Sequence, residues 1–329
     1  MRKILNTADS FVDDALEGIL LAHPDRLRRS ELHPRVIVRN RERSGRVGIV
    51  TGGGFGHLPA FLGYIGEGLV SSAAVGNVFS AQAYDAAQAA IVEADEGAGV
   101  LCLYGNYTGD RLNFELACDL VNLDGTPTRT VIAGDDVASA DAEHRSDRRG
   151  VAGLFFAYKC AGASAARGDD LETVSAIAQR AADAVRTIGV GLSPTILPAN
   201  GAPTFEIPEG AMEVGIGIHG EHGAGGVQEL GSAHEIAEML IGALIPESGT
   251  RVDVLVNGMG ATPLEELYVL GRSAALLLRE RGVEVRRTFV GEYMTSLEMA
   301  GASVSLFSLD DELEALMNEP ADAALLNYF

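Results

Sequence analysis

The sequence predicts an α/β chain of two domains, each a mixed, largely parallel β-sheet flanked by helices. Three observations carry that reading. Short apolar runs stop abruptly at polar, glycine-bearing loops and give way to helix-forming segments, the order of elements in a largely parallel sheet. A length of 329 residues is that of two domains. The composition also shifts near Ile188 from helix formers to a stretch rich in Gly, Pro and Ser over 189–208, which sets the expected domains at 1–188 and 189–329.

The elements follow in order. An amphipathic helix through about His23 leads by an Arg-rich connection into Arg46-Val-Gly-Ile-Val-Thr51, a buried strand that ends in a tight turn at Gly52-Gly-Gly. Strong helix formers at helical spacing run from Ala81 to Ala94. A second strand, Val100–Tyr104, stops at the loop Gly105-Asn-Tyr-Thr-Gly-Asp110, followed by a helix from Arg111 to about Val121 and a third strand at Thr130–Ala133. Gly134-Asp-Asp136 closes that strand, and two alanine-rich helices are expected over 151–166 and 171–187. In the second half, Glu213–Ile218 alternates like a strand and opens into His219-Gly-Glu-His-Gly-Ala-Gly-Gly226. Ser232 and Glu235 form a capping box for a helix to about Ala243. After a strand over 252–256, Thr262-Pro-Leu-Glu265 offers an N-cap, a first-turn proline and a capping glutamate together. Strands over 283–290 and 303–307 and a helix over 310–317 complete the series.

Charge narrows the function. With 25 Lys+Arg against 46 Asp+Glu, the net charge of −21 argues against nonspecific binding to nucleic acid or to an anionic membrane. The only lysines are Lys3 and Lys159, and neither ends a glycine-rich turn before Ser or Thr, so no Walker A loop is present. Three cysteines without CxxC spacing, Cys102, Cys118 and Cys160, read as reduced, buried thiols of a cytoplasmic protein. No secretory signal and no run of about 18 apolar residues appears.

Ligands of open α/β sheets gather at the carboxyl ends of strands, which singles out three loops: Gly52–His57, Gly105–Asp110 and His219–Gly226. Consecutive glycines bring backbone amides close to a ligand, and His57 adds a group that titrates near neutrality. Asp110, taken alone, reads as a helix N-cap. Gly215 and Gly217 leave room beside the His219 imidazole. His219 with His222 lacks a third ligand at recognisable spacing, so no metal site is expected. The run Gly52-Gly-Gly-Phe-Gly56 does not keep the GxGxxG spacing, which removes a dinucleotide site, and no GxSxG elbow is present.

These loops resemble the substrate-binding, or K, subunit of dihydroxyacetone kinases. The resemblance rests on Thr51-Gly-Gly-Gly-Phe-Gly-His57, Gly63-Tyr-Ile-Gly66, Asn106-Tyr-Thr-Gly-Asp110 with Asn113-Phe114, Gly134-Asp-Asp-Val137 and Arg148-Arg-Gly150. Gly215-Ile-Gly-Ile-His-Gly-Glu221, Gly260-Ala-Thr-Pro263 and Thr295-Ser-Leu-Glu-Met299 complete it, in the family's order and across nearly the whole chain. It implies a homodimer that holds a small ketose as a covalent hemiaminal on His219, with His57 and Asp110 as the general acid/base pair. The implied substrate-contacting set is Gly53, Gly54, Phe55, Gly56, His57, Gly105, Asp110 and His219. The resemblance further implies that this chain binds no cofactor or metal. ATP or ADP, with Mg, would sit on a separate nucleotide-binding L subunit, for whose domain the chain leaves no room after Phe329. Four positions depart from the pattern: Phe55 for serine, Leu58 for glutamate, Gly105 for lysine and His222 for proline. They change the polarity and shape of the expected pocket and admit a tetrulose such as erythrulose beside dihydroxyacetone. The alternative reading is a non-catalytic, ketose-sensing paralogue that acts as a transcriptional co-regulator.

Overall fold

A computed structural model of the chain describes residues 3–40, 44–245 and 247–328, so the outermost positions of the two expected domains, 1 and 329, lie outside it. The first half comprises α1 (Phe11–Ala22), β1 (Leu27–Arg29), β2 (Val36–Arg39), β3 (Gly48–Phe55), β4 (Gly66–Glu67), β5 (Ser72–Val78), α2 (Tyr84–Ala94), β6 (Val100–Gly105), α3 (Thr108–Leu123), β7 (Thr128–Ala133), α4 (Leu154–Arg167) and α5 (Leu171–Ala184). The second comprises β8 (Val185–Ser193), β9 (Ala211–Val214), β10 (Gly226–Glu229), α6 (Ala233–Leu244), β11 (Arg251–Gly258), α7 (Leu264–Glu280), β12 (Glu284–Gly291), β13 (Ala300–Ser308), α8 (Asp311–Asn318), β14 (Ala321–Ala323) and β15 (Asn327–Tyr328).

Two six-stranded sheets flanked by helices result, as expected. The first, ordered β1-β2-β5-β3-β6-β7, is parallel from β5 to β7, while the β1-β2 pair inside the supposed Arg-rich connection adds an antiparallel edge. The second, ordered β10-β9-β8-β13-β11-β12, corrects the expectation of a largely parallel sheet, since only β11 and β12 run parallel. The parallel pair is joined through the crossover helix α7, whereas the remaining strands pair antiparallel, which needs no crossover. The handover between sheets falls at Ala184/Val185; Ile188 lies inside β8, which follows α5 directly and pairs with β13.

The α4 helix explains how the halves are joined. Every residue from Leu154 to Ala165 is buried, the pattern of a helix apolar all round and enclosed by protein. Around it, Phe155 and Phe156 share one core with Leu255, Phe307, Leu313, Leu316 and Met317 from the second half. The Phe156 and Phe307 rings stack at 4.7 Å. Lys159 enters this core and donates from Nζ to the Leu316 carbonyl at 2.7 Å, while burial pushes its pKa down to about 8. The opposite face of the first sheet is covered by α2 and α3, where Tyr104 stacks on Phe114 at 4.4 Å. A separate core lies beneath α6 and α7. Cys102, Cys118 and Cys160 are free thiols in buried positions. Among the described residues, no helix is long and apolar enough to cross a membrane.

Local capping follows the sequence in one place and departs from it in another. Ser232 and Glu235 form the expected reciprocal box. Thr262 does not cap α7; its hydroxyl donates to the Gly301 carbonyl and accepts from the Gly301 amide, fixing β13 instead.

Candidate active site

The carboxyl ends of β3 and β6 and the loop after β9 converge. His57, two residues past β3, is 1% exposed, and its Nδ1 lies 2.8 Å from the Thr295 carbonyl oxygen. A carbonyl can only accept, so Nδ1 carries the proton and the Nε2 lone pair is free; Nε2 is enclosed and has no partner. Burial, reinforced by the neighbouring His219, pushes the imidazole down to about 3, so it is neutral. The ring stacks on Phe79 at 4.9 Å, and Phe79 itself holds φ +54, an uncommon conformation for a bulky residue.

The glycines build this wall. Gly52–Gly54 are not a turn but the last part of β3, which runs through Phe55. A Cβ at Gly53 would lie 2.2 Å from the Phe61 ring, and one at Gly56 would lie 2.8 Å from the Phe79 ring. At Gly54 it would meet the Ser80 amide nitrogen at 2.7 Å. The missing side chains therefore admit the protein's own aromatic rings and backbone. Phe55 points into the first core, edge-on to Phe11 at 5.8 Å. At Gly105 a Cβ would come within 3.3 Å of both the Tyr107 ring and the Gly150 carbonyl, so Tyr107 fills much of the room that a glycine would otherwise free.

His219 lies in the loop after β9, which ends at Val214, four residues short of the expected strand end. Its ring meets His57 at 4.9 Å, Phe79 at 5.3 Å and Tyr107 at 5.0 Å, each edge to face. Nδ1 lies 2.8 Å from Glu221 Oε1, and the His219 amide donates to Glu221 Oε2 at 2.9 Å. Burial alone would raise the Glu221 pKa, but the hydrogen bond and charge of His219 hold it at about 2. An ionised carboxylate fixes the His219 proton on Nδ1 and leaves Nε2 as a lone pair. Behind Glu221 stands Arg149, whose Nη1 lies 3.8 Å from Glu221 Oε2. Its other donors engage buried Asp136, from Nε at 3.0 Å, and the Gly215 carbonyl, from Nη2 at 3.0 Å. A Cβ at Gly217 would strike Glu221 and Arg149 at 2.1 and 2.4 Å, so the room left by this glycine holds the ion pair.

Asp110 is not a helix cap. α3 starts at Thr108, which places Asp110 in its first turn, 6% exposed and with Oδ1 unpartnered. Burial pushes the carboxyl up to about 7. Tyr107, whose ring touches His219, immediately precedes α3, and Asp110 follows it by three residues in the first turn. His222 is drawn away to Glu213, 2.9 Å from Nδ1, with its side chain 75% exposed. Among the described residues, no group of three or more His, Cys, Asp or Glu is placed to hold a metal ion.

Sequence reasoning brought His57, His219 and Asp110 forward. It missed Phe79, and it placed Tyr107, Glu221, Arg149 and Thr295 within motifs without giving them a role. Glu221, a carboxylate two residues from a loop histidine, and Tyr107, within the Gly105–Asp110 loop, carried local signals; Phe79, Arg149 and Thr295 come from outside the three loops.

Comparison with known proteins gives a consistent picture. The Dak1 domain model matches residues 17–325. Over 316 residues the chain is 45% identical to the dihydroxyacetone-binding subunit DhaK of PTS-dependent dihydroxyacetone kinase 1 from Listeria innocua, covering 95% of each protein. It is 41% identical to an L-erythrulose kinase of Pectobacterium atrosepticum over 98% of this chain, but spans only 56% of that protein. Among solved structures, the dihydroxyacetone kinase of C. freundii superposes with a TM-score of 0.88 at 33% identity, covering 98% of this chain and 60% of that one. A dihydroxyacetone kinase operon co-activator, DhaQ, also gives 0.88 at 30% identity, covering 96% and 98%.

Proposed function

Since the chain belongs to the Dak1-domain family of dihydroxyacetone-binding kinase subunits, we propose that it binds a small ketose covalently on His219. It then presents the ketose's terminal hydroxyl to a separate nucleotide-binding L subunit. The observation that carries this reading is the pairing of two imidazoles 4.9 Å apart, each with its proton held on Nδ1 and its Nε2 lone pair free.

In the proposed sequence, the His219 Nε2 lone pair adds to the ketose carbonyl carbon, and the carbonyl π pair moves to oxygen. Asp110, half protonated near pH 7, gives that oxygen its proton, and the cationic imidazole is balanced by Glu221. The ionised Asp110 then takes the proton of the terminal hydroxyl as its oxygen attacks the phosphoryl group. His57 accepts a hydrogen bond from the ketose at Nε2. Polyols lack an electrophilic carbon and are rejected, and the tether fixes the hydroxyl in one orientation. ATP, or ADP, with Mg would belong to the L subunit. Two relatives, a dihydroxyacetone-binding subunit and an erythrulose kinase, support a short ketose as the substrate class.

Intact mass under native conditions tests this. Incubation with dihydroxyacetone or erythrulose should add one ketose to the wild type and none to His219→Ala. No adduct on the wild type, or an equal adduct on the variant, would refute it. The likeness to the DhaQ co-activator supports a second reading, a ketose sensor. Formation of phosphorylated ketose with a purified L subunit excludes a purely sensory role.

A further inference from the structure

Two of the three thiols face each other. Cys102 Sγ, on β6, lies 3.6 Å from Cys118 Sγ, on α3, whereas Cys160 belongs to the core on the opposite face of the sheet.

The surroundings give the pair unequal roles. Cys102 is wholly enclosed, while Cys118 keeps 7% of its surface exposed. Cys118 lies toward the sheet edge: β7 is the outermost strand, and its exposed Thr130, the register partner of Cys102, has its hydroxyl 3.9 Å from Cys118 Sγ. Hydrogen bonding from Cys102, joined by the Thr128 and Thr130 hydroxyls, outweighs burial and holds Cys118 down at about 7, and the same contact pushes Cys102 well above the ordinary thiol range. A thiolate within reach of solvent, with a second thiol against it, is the arrangement of a peroxide-reactive cysteine and its resolving partner.

The segment between the two, residues 103–117, contains the Gly105–Asp110 loop and the first turns of α3. It carries Tyr107, whose ring touches His219, and Asp110, whose Oδ1 is enclosed, as is Nε2 of His57. A ligand reaches such atoms only when a wall of the site opens. A bond from α3 to β6 would restrain that wall.

We propose that Cys102 and Cys118 are a redox modification site, which a hydroperoxide converts to an intramolecular disulfide that latches α3 to β6 and slows ketose capture. The effect on capture rests on the covalent ketose-binding reading above. With hydrogen peroxide, Cys118 sulfur attacks the O–O bond and becomes a sulfenic acid, and the hydroxide released takes up the proton that left Cys118. Cys102 sulfur then attacks Cys118 sulfur; the S–S bond forms, the S–O bond breaks, and the leaving hydroxide takes the Cys102 proton. Two thiols are oxidised to one disulfide and the peroxide is reduced to two waters. In a reducing compartment such a bond is transient, as a sensor requires.

The test treats reduced full-length protein with hydrogen peroxide and follows intact mass, peptide maps and amide hydrogen exchange. The monomer should lose two hydrogens, mapped to a Cys102–Cys118 link that dithiothreitol reverses. Cys160→Ser should still form the link and Cys118→Ser should not. In the linked form, α3 amides should exchange about tenfold more slowly, and adduct formation with dihydroxyacetone should slow about fivefold. Unchanged mass, a link elsewhere, Cys118 driven to a sulfinic acid with Cys102 still free, or a link that alters neither exchange nor adduct rate overturns this inference. The mass and exchange readings need no ketose. Absence of any adduct on the reduced wild type therefore refutes the ketose reading and the effect on capture, and leaves the disulfide to be decided by those two readings.

Discussion

Asp110 has an unusually large leverage on both stability and reactivity because burial alone sets its pKa near 7. Its folded value lies above that of an unfolded chain, so the folded state binds the extra proton between about pH 4 and 7. The cost of an ionised, enclosed Asp110 is fully present above pH 7 and disappears as pH falls toward 4. Asp110→Asn should therefore stabilise the protein at pH 8 by about 2 kcal/mol. The advantage should vanish near pH 4, as thermal melts across pH would record, while turnover with an L subunit is lost. His57 acts in the opposite sense: its folded value near 3 makes stability fall as pH drops from about 6.5 to 3. The carboxylate of Glu221 is equally specific in its work. Glu221→Gln keeps an acceptor but removes the charge that would balance the imidazole in the proposed adduct, and should slow adduct formation on His219 by about tenfold or more in stopped-flow measurements.

The β3 strand shows why a motif can be read correctly for place and wrongly for form. A run of three glycines suggests a turn, yet here the run stays in the sheet because Phe61, Ser80 and Ala74 occupy the volume where side chains would stand. Gly53→Ala would force the Phe61 ring aside and should cost about 3 kcal/mol, read as a lower denaturant midpoint at constant m-value. The parallel strands β3, β6 and β7 were legible because each contains a short apolar run that stops at a glycine-bearing loop. The start of β8 was not, since Val185–Thr187 follows α5 with no Gly or Pro to mark the helix end, and pairing to β13 makes it a strand. For the same reason the site histidines were visible from their loops. Thr295, which orients His57, is 238 residues away from it, and only tertiary structure brings them together.

At the scale of the whole molecule the two sheets are distinct, but one core is shared between the halves. Leu313, Leu316 and Met317 of α8 close the first core. β14 pairs with β4, and Arg26 clamps Asp322 and the Ala323 carbonyl. A fragment 1–184 should therefore be aggregation-prone when expressed alone, with its Phe155 and Phe156 uncovered, and co-expression with 185–329 should restore soluble protein in pull-down from either half. The Lys159–Leu316 hydrogen bond also has a meaning in the order of synthesis. A nascent chain emerges from its N-terminal end, and the first sheet is complete long before its lid exists. Until residues 311–323 leave the ribosome, α4 lacks the α8 residues that pack on its phenylalanines and the carbonyl that accepts from Lys159, so the growing chain should stay prone to aggregation through most of its synthesis.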